Sequence, residues 1–202
     1  MEISVVVTNF NYGKYLGRCV RSLLNQSIEN SRYEIIVVDD ASTDDSHEIL
    51  KTFSSSIRPI FLDVNSGLSV ASNTGIRSAH GRYIVRVDAD DYVHSDFLRT
   101  LLIGFDFFAH DCEAIALDYL NVSESGELIS YGDASMDPIA CAIAFKLDAL
   151  EQIGLYNSTL RLNEEVDLRK RFLDEGFTIR QVNLPLYRYV NHSHSLTRRT
   201  LI

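Results

Sequence analysis

The sequence predicts an α/β fold with a mostly parallel, Rossmann-like sheet covered by helices on both faces. Within about the first ninety residues, short apolar runs alternate with helical patterns, which is typical of a parallel sheet. Polar or acidic residues directly follow three of these runs. The chain has 202 residues, which fits a single domain. We expect residues 1–91 to form a regular half of this domain and residues 92–202 a mixed half.

The first half begins with a buried strand. Residues 3–7 are almost wholly apolar and β-branched, as in a strand covered on both faces, and residues 15–24 show apolar positions at helical spacing. Ser42, followed three residues later by Asp45, resembles a capping box and predicts a helix to about residue 53. The remaining patterns predict strands at residues 34–38, 58–62 and 83–87 and a helix at 67–80.

The second half is less regular. Its patterns predict helices at residues 96–108, 146–153 and 163–176, with Asn163 as the cap of the last one. A hairpin is predicted at residues 114–122 and 128–131, and further strands at 139–145, 178–182 and 186–190.

Composition limits the classes of partner and compartment. The formal net charge of −9 argues against binding to nucleic acid. The three cysteines have no C-x-x-C spacing, so neither a disulfide scaffold nor a zinc site is expected, and a reduced, cytoplasmic compartment is favoured. The N-terminus lacks the basic region of a signal peptide, and no apolar run approaches the ~20 residues of a membrane helix. Any membrane contact would therefore be peripheral, at the inner face.

Polar clusters follow three of the predicted strands: Thr8 and Asn9, Asp39 and Asp40, and residues 88–91. Ligands of open parallel sheets bind at the carboxyl ends of the strands, so we expect these clusters to lie on one rim.

Three carboxylates, those of Asp88, Asp90 and Asp91, crowd the end of the last of these strands. Crowded like charges are costly unless something neutralises them, and a divalent cation with oxygen ligands does so. We therefore predict a Mn²⁺ or Mg²⁺ site that could hold a diphosphate. The alternative is a solvated loop whose carboxylates cap the next helix.

Asp39 offers a carboxylate that could accept the N–H of a pyrimidine base, and Phe10 could lie against the face of that base. The alternative is a turn followed by a helix cap, which Ser42 and Asp45 would provide.

The predicted helix after Asn163 opens with Glu164 and Glu165. Glu165 precedes Leu168 and Phe172 by three and seven residues, so we expect Glu165 to point inward and Glu164 outward. An inward carboxylate at this position could serve as a general base. The alternative is that both charges complement the helix dipole.

His192 and His194 form a last candidate pair. His192 could add a nitrogen ligand to the metal or touch a phosphate, although lone histidines are more often surface residues.

Together, these residues resemble the family 2 inverting glycosyltransferases, which have the GT-A fold, over residues 3–197. The matching motifs are Ser4-Val-Val-Val-Thr-Asn-Phe-Asn-Tyr-Gly-Lys-Tyr15, Val38-Asp39-Asp40-Ala-Ser42, Asn65-Ser-Gly67, Ala71-Ser-Asn73-Thr-Gly75, Asp88-Ala89-Asp90-Asp91, Gly154-Leu-Tyr156 and Glu164-Glu165-Val-Asp167-Leu168.

The resemblance implies an inverting, hexosyltransferase-type enzyme that moves a sugar from a nucleoside diphosphate sugar to an acceptor hydroxyl. Polysaccharide or glycolipid assembly is the family's common work, which suggests a saccharide or lipid-linked saccharide acceptor. Residues 1–91 would bind the donor and residues 92–202 the acceptor. The implied base is Glu165, with Glu164 as second choice, and the implied metal ligand is Asp90, with His192 as a candidate. The implied donor-binding residues are Thr8, Asn9, Phe10, Asp39, Asn73, Asp88 and Ala89.

The chain departs from the family pattern at three positions. Glu165 stands in place of the family's aspartate base, Thr8 where proline is common, and Ser72 where a basic residue often precedes the asparagine.

Three other functions fit these residues less well. A non-catalytic nucleotide-binding module of the same fold has no reason to keep Asp90 and Glu165. A sugar-nucleotide pyrophosphorylase would need a glycine-rich, basic loop after the first strand, and a nicotinamide dehydrogenase would need G-x-G-x-x-G; this chain has neither.

Overall fold

The computed structural model describes residues 1–108 and 111–193. The strands are β1 (Ile3–Asn9), β2 (Tyr33–Asp39), β3 (Arg58–Phe61), β4 (Tyr83–Asp88), β5 (Tyr92–Val93), β6 (Ala114–Ser123), β7 (Leu128–Gly132), β8 (Ile143–Lys146) and β9 (Ile179–Asn191). The helices are α1 (Gly13–Leu24), α2 (Ser46–Thr52), α3 (Leu68–Arg77), α4 (Phe97–Phe108), α5 (Leu147–Gln152) and α6 (Glu164–Asp174).

The strands form one sheet in the order β3-β2-β1-β4-β8-β6-β9-β5, with β7 paired to β6. Strands β3, β2, β1 and β4 are parallel to one another, and α1, α2 and α3 connect them. Beyond β4 the pairing becomes mixed, because β8 runs antiparallel to both β4 and β6. The predicted α/β class, with a parallel first half and a mixed second half, is confirmed.

Helices cover the sheet on both faces, as the continuous apolar strands require. Val5 and Val7 of β1 belong to one buried cluster with Leu16 of α1 and Leu101 of α4, whereas Val6 belongs to a second cluster on the other side. This division follows from the alternation of side chains along a strand. All three cysteines are buried and free.

The end of the chain differs from the prediction. The predicted strands at 178–182 and 186–190 are one strand, β9, which begins at Ile179. Its register against β6 jumps between the pairs Leu117–Val182 and Tyr119–Tyr187. The irregular segment contains Pro185, which cannot donate a ladder hydrogen bond. The short strand β5 was not predicted, and β8 begins only at Ile143.

The predicted capping box at Ser42 and Asp45 is wrong. Helix α2 begins at Ser46, whose backbone N–H donates to Oδ1 of Asp44 over 3.0 Å. The hydroxyl of Ser42 instead accepts the backbone N–H of Asn11 over 2.8 Å. Ser42 therefore ties the loop after β2 to the loop after β1, at the edge where the polar clusters lie.

Among the residues that the structure describes, no helix has the length and apolar character needed to cross a bilayer.

Candidate functional site

The polar clusters meet because β1 lies between β2 and β4. In the parallel register, Asn9 is opposite Asp39 and Thr8 is opposite Asp88. The carboxyl ends of three neighbouring strands therefore bring donors and acceptors from distant parts of the sequence onto one rim. This adjacency agrees with the expectation drawn from the sequence.

Asp39 is fully buried on this rim and already holds three hydrogen bonds. It accepts the side-chain amide of Asn9 over 2.6 Å, the backbone N–H of Ser42 over 3.0 Å and Nε2 of His47 over 3.1 Å. Phe10 follows Asn9 and is 43% exposed, so part of its ring is accessible to a ligand. The pair offers a fixed carboxylate beside an accessible aromatic ring.

Asp40 has a different role from its neighbour. Its two carboxylate oxygens accept the backbone N–H groups of Ser66 and Gly67, each over 2.7 Å. Gly67 has a φ of +90°, in the region that favours glycine. Asp40 therefore fixes the loop that leads into α3.

The carboxylates of Asp88, Asp90 and Asp91 also differ from one another. Oδ1 of Asp88 lies 3.4 Å from Nε of Arg86, and Oδ2 of Asp90 lies 2.8 Å from Nε2 of His192. Asp90 and His192 therefore lie side by side although 102 residues separate them in the sequence, and their binding of a metal stays a prediction.

Asp91 is buried and tied to β9. Its carboxylate accepts the hydroxyl of Tyr187 over 2.6 Å and the backbone N–H of Val190 over 2.8 Å. Burial raises the pKa of Asp91 well above its usual range, and the negative charges of Asp90 and Asp88 raise it further. Asp91 therefore has a structural role at the end of β4.

The pKa of Asp90 is also raised above its usual range. Burial raises its pKa, the charge of Asp88 adds to the rise, and the hydrogen bond from His192 opposes it. Keeping Asp90 ionised therefore costs free energy, and a nearby cation would reduce this cost.

Asp90 and His192 fit a divalent cation. Neighbouring ligands of an octahedral Mg²⁺ lie about 3 Å apart, since each bond is about 2.1 Å long. The 2.8 Å between Oδ2 of Asp90 and Nε2 of His192 is close to this spacing. The His192 ring is held in place by stacking on Tyr15, with centroids 4.7 Å apart.

A second group of potential ligand atoms fits less well. One atom each of Asp88, Asp91 and Cys141 lies within 4.8 Å of the others. However, Asp91 already accepts two hydrogen bonds, and burial raises the pKa of the Cys141 thiol well above its usual range. A protonated thiol is a poor ligand for Mn²⁺ or Mg²⁺, which prefer oxygen.

The two glutamates at the start of α6 are arranged opposite to the prediction. Glu164 is 6% exposed and lies on the buried face with Leu168 and Phe172, whereas Glu165 is half-buried. Both positions flank the same apolar face, so helical spacing alone could not choose between them. Burial raises the pKa of Glu164, as does the negative charge of Glu165, while Arg86 opposes the rise.

The rest of α6 agrees with its pattern. The ion pairs Asp167–Arg171 and Lys170–Asp174 form along this helix, each between residues four apart. Asn163 occupies the capping position, but its side chain makes no capping hydrogen bond.

Three other predicted donor-binding residues are buried: Thr8, Ala89 and Asn73. Asn73 binds the backbone of Tyr156 with both ends of its amide, because Nδ2 donates to the Tyr156 carbonyl over 2.8 Å and Oδ1 accepts the Tyr156 N–H over 3.0 Å. Asn73 thus joins α3 to the loop before α6, and its contact with a donor stays a prediction. His194 lies outside the described residues.

One charged residue of the site was not predicted. Arg86 lies within β4, two residues before Asp88, and its guanidinium forms an ion pair with the Asp88 carboxylate. The available signal was an arginine inside an otherwise apolar strand, because such a residue needs a buried partner.

Comparison with solved structures supports the fold. The Staphylococcus aureus protein TarS, as a 1–349 fragment in complex with UDP-GlcNAc, matches 96% of this chain with a TM-score of 0.82 at 19% identity. The mannosyltransferase PcManGT of Pyrobaculum calidifontis, in complex with GDP-Man and Mn²⁺, matches 98% with a TM-score of 0.73 at 18% identity. The predicted GT-A fold is confirmed by these likenesses.

Two curated relatives are similar in sequence. The putative teichuronic acid biosynthesis glycosyltransferase TuaG of Bacillus subtilis is 29% identical over 96% of this chain and 81% of its own length. The glycosyltransferase GlyG of Streptococcus pneumoniae is 40% identical over 61% of this chain. The chain spans only 40% of GlyG and 60% of the TarS fragment.

The family model described as glycosyl transferase family 2 matches residues 4–125. This range contains β1 from its second residue, β2 to β4, the rim of polar strand ends and the Asp88–Asp91 turn. With more than half of its length matched to that model, the chain belongs to glycosyl transferase family 2.

Proposed function

We propose that the protein transfers a hexose-type sugar from a nucleoside diphosphate sugar to an acceptor hydroxyl, with inversion and with the help of a divalent cation. The observation that carries this proposal is the register of the sheet, in which Asn9 is opposite Asp39 and Thr8 is opposite Asp88. One rim then offers groups for a base, a ribose and a diphosphate at the position where parallel sheets bind nucleotides.

The donor would bind along the ends of β1, β2 and β4. Asp39 would accept an N–H of the base while the exposed ring of Phe10 lies against the face of the base. Asp88 would contact the ribose side, and Thr8, Asn9 and Ala89 would line the rim between them, with Asn73 behind it. The UDP-GlcNAc and GDP-Man named for TarS and PcManGT support a donor of this class.

Asp90 and His192 would hold a Mn²⁺ or Mg²⁺ ion, for which their spacing of 2.8 Å is suited. When bound, the ion supplies Lewis-acid neutralisation of the charge on the diphosphate. The Mn²⁺ named for PcManGT supports this choice of metal.

Glu165 would act as the general base. In the proposed reaction, the bond between the anomeric carbon and the diphosphate oxygen breaks, and a bond to the acceptor oxygen forms on the opposite face. The acceptor proton goes to Glu165, whose half-buried carboxylate an incoming hydroxyl can reach. Glu164 is the second choice, because it is buried against the core.

The acceptor would be a saccharide or a lipid-linked saccharide in polysaccharide or glycolipid assembly. The name of TuaG, a putative teichuronic acid biosynthesis glycosyltransferase, supports this class.

A panel of nucleoside diphosphates tests the proposal. The melting temperature of the purified protein would be measured with UDP, GDP, CDP and dTDP, each with and without Mn²⁺. We expect one nucleotide to stabilise the protein more strongly when Mn²⁺ is present, by mass action on the folded state. Release of that nucleotide from its sugar conjugates would then be followed over time. If no nucleotide stabilises the protein, the proposal is wrong; binding without sugar release would favour a non-catalytic module.

A further inference from the structure

Arg86 is the only lysine or arginine that is buried among the described residues, with 5% of its surface exposed. It lies on β4, whose other residues before Asp88 are apolar or aromatic. Burying a guanidinium is costly unless it is paired with a carboxylate and its N–H groups are satisfied.

The carboxylate that faces Arg86 is that of Asp88. Nε of Arg86 lies 3.4 Å from Oδ1 of Asp88, within ion-pair distance. In the described part of the chain, neither this Oδ1 nor the Nε and Nη1 atoms of Arg86 has a hydrogen-bond partner. Nη2 contacts the sulfur of Cys141 at 3.7 Å, and the guanidinium lies 5.5 Å from the centre of the Tyr156 ring. The ion pair is therefore the main polar contact of this arginine.

A small cavity lies beside the guanidinium. It has a volume of about 10 Å³ and is lined by Arg86, Ser72 and Tyr156 together with apolar side chains. The hydroxyl of Ser72 is also buried without a partner within the described ranges. The space and the polar atoms suit about one water molecule, which would satisfy both residues and leave Arg86 directed at Asp88.

Arg86 also faces the second half of the molecule. Its positive charge lowers the pKa of Glu164 at the start of α6, whereas the negative charge of Asp88 raises that pKa. One buried cation therefore acts on a carboxylate from each half of the molecule, that of Asp88 and that of Glu164.

We propose that Arg86 is a positioning residue, which holds the carboxylate of Asp88 in the orientation that binds the nucleotide sugar. This inference rests on the proposed function, because it assumes that Asp88 contacts the donor.

The test measures binding and stability separately. The dissociation constant of the nucleoside diphosphate that stabilises the wild type, in the presence of Mn²⁺, would be measured for R86M, R86K and the control R77M, which alters an exposed arginine of α3. We expect R86M to weaken binding roughly tenfold to a hundredfold, as displacement of a site group does. R86K should weaken binding less, because it keeps the charge but not the planar fork. R77M should stay within about twofold.

The Asp88→Asn background separates positioning from general support of the fold. Because the proposed effect of Arg86 passes through the Asp88 carboxylate, R86M should change binding by no more than about twofold when D88N is already present. An equal loss with and without D88N would overturn the proposal, as would an unchanged dissociation constant in R86M. If R86M does not fold, the same test is made with R86K: the loss of binding that R86K causes in the wild type is compared with the loss that it causes in the D88N background. If the wild type binds no nucleotide, the proposed function itself is wrong. If the wild type binds a nucleotide, any difference among the variants concerns Arg86 alone.

Discussion

Nε2 of His192 lies 2.8 Å from Oδ2 of Asp90, and both side chains are largely buried. Asp90 follows β4 and His192 follows β9, so the contact joins the first half of the chain to the second. A carboxylate and an imidazole at this distance are hydrogen-bonded to each other and can also serve as adjacent metal ligands. The contact therefore leads to a direct test of metal binding.

Asp90→Ala and His192→Ala should each abolish the additional stabilisation that Mn²⁺ gives to the nucleotide-bound protein. Loss of a group that supports a metal ligand weakens metal binding roughly 10–100-fold. Loss of the ligand itself should therefore weaken Mn²⁺ binding by at least this factor. The measurement is a titration of Mn²⁺ at saturating nucleotide, read from the melting temperature. His80→Ala, which removes an exposed histidine, is the matched control and should titrate like the wild type. A normal Mn²⁺ response in H192A would remove His192 from the metal site.

Glu164→Gln should change how stability depends on pH. Burial raises the pKa of Glu164 in the folded state, so its carboxyl is easier to keep protonated when folded than when unfolded. The folded state therefore loses stability as pH rises from the usual glutamate range, about 4.3, through the raised pKa. E164Q removes this loss, so its melting temperature relative to the wild type should be higher at pH 7.5 than at pH 4.5.

The comparison is made without divalent cations, in a chelating buffer. Glu165→Gln alters the half-buried neighbour on the same turn and serves as the control for the loss of one negative charge. If the difference between E164Q and the wild type is the same at both pH values, Glu164 does not titrate as its burial implies.

The sequence predicts the first half of the fold well, because each strand there is a continuous apolar run and each helix has one apolar stripe. Residues 3–7, 34–38 and 83–87 all lie within the observed strands β1, β2 and β4. The meeting of the strand ends could also be predicted, since parallel strands joined by helices have their carboxyl ends on the same edge.

The rest could not be predicted because it depends on contacts between distant segments. Glu164 and Glu165 flank one face of α6, and only packing on the core selects the buried one. Ser42 has the spacing of a helix cap, but the loop after β1 supplies a competing partner in Asn11. The pairing of Arg86 with Asp88 requires two residues on the same side of β4 and a small cavity that no local pattern encodes.

Phe10→Ala should weaken nucleotide binding without destabilising the fold. The ring is 43% exposed, so its removal leaves little empty space in the core. Stacking of an aromatic side chain on a base contributes about 1–3 kcal/mol, which sets the expected loss of binding free energy. Isothermal titration with the nucleotide selected by the panel measures this loss. Phe107→Ala, which removes a ring that is 79% exposed on α4, should bind like the wild type. Equal affinities for F10A and F107A would exclude stacking by Phe10.

Glu165→Gln and Glu164→Gln together decide which carboxylate accepts the proton of the acceptor. A general base contributes about 10²–10⁴-fold to the rate, so E165Q should lower transfer by this factor. Its affinity for the nucleotide should stay within about twofold of the wild type, because Glu165 takes no part in the donor rim. E164Q should keep most of the transfer activity, since its carboxylate is buried against Leu168 and Phe172 and an acceptor cannot reach it.

The assay is release of the nucleotide from its sugar conjugate in the presence of acceptor, compared between the wild type, E165Q and E164Q. With Glu165 as the base, only E165Q should lose most of this activity. The opposite pattern, with E164Q inactive and E165Q active, would assign the base to the buried glutamate. The acceptor hydroxyl would then have to approach from the side of Arg86, where Glu164 and Asp88 face the same buried cation.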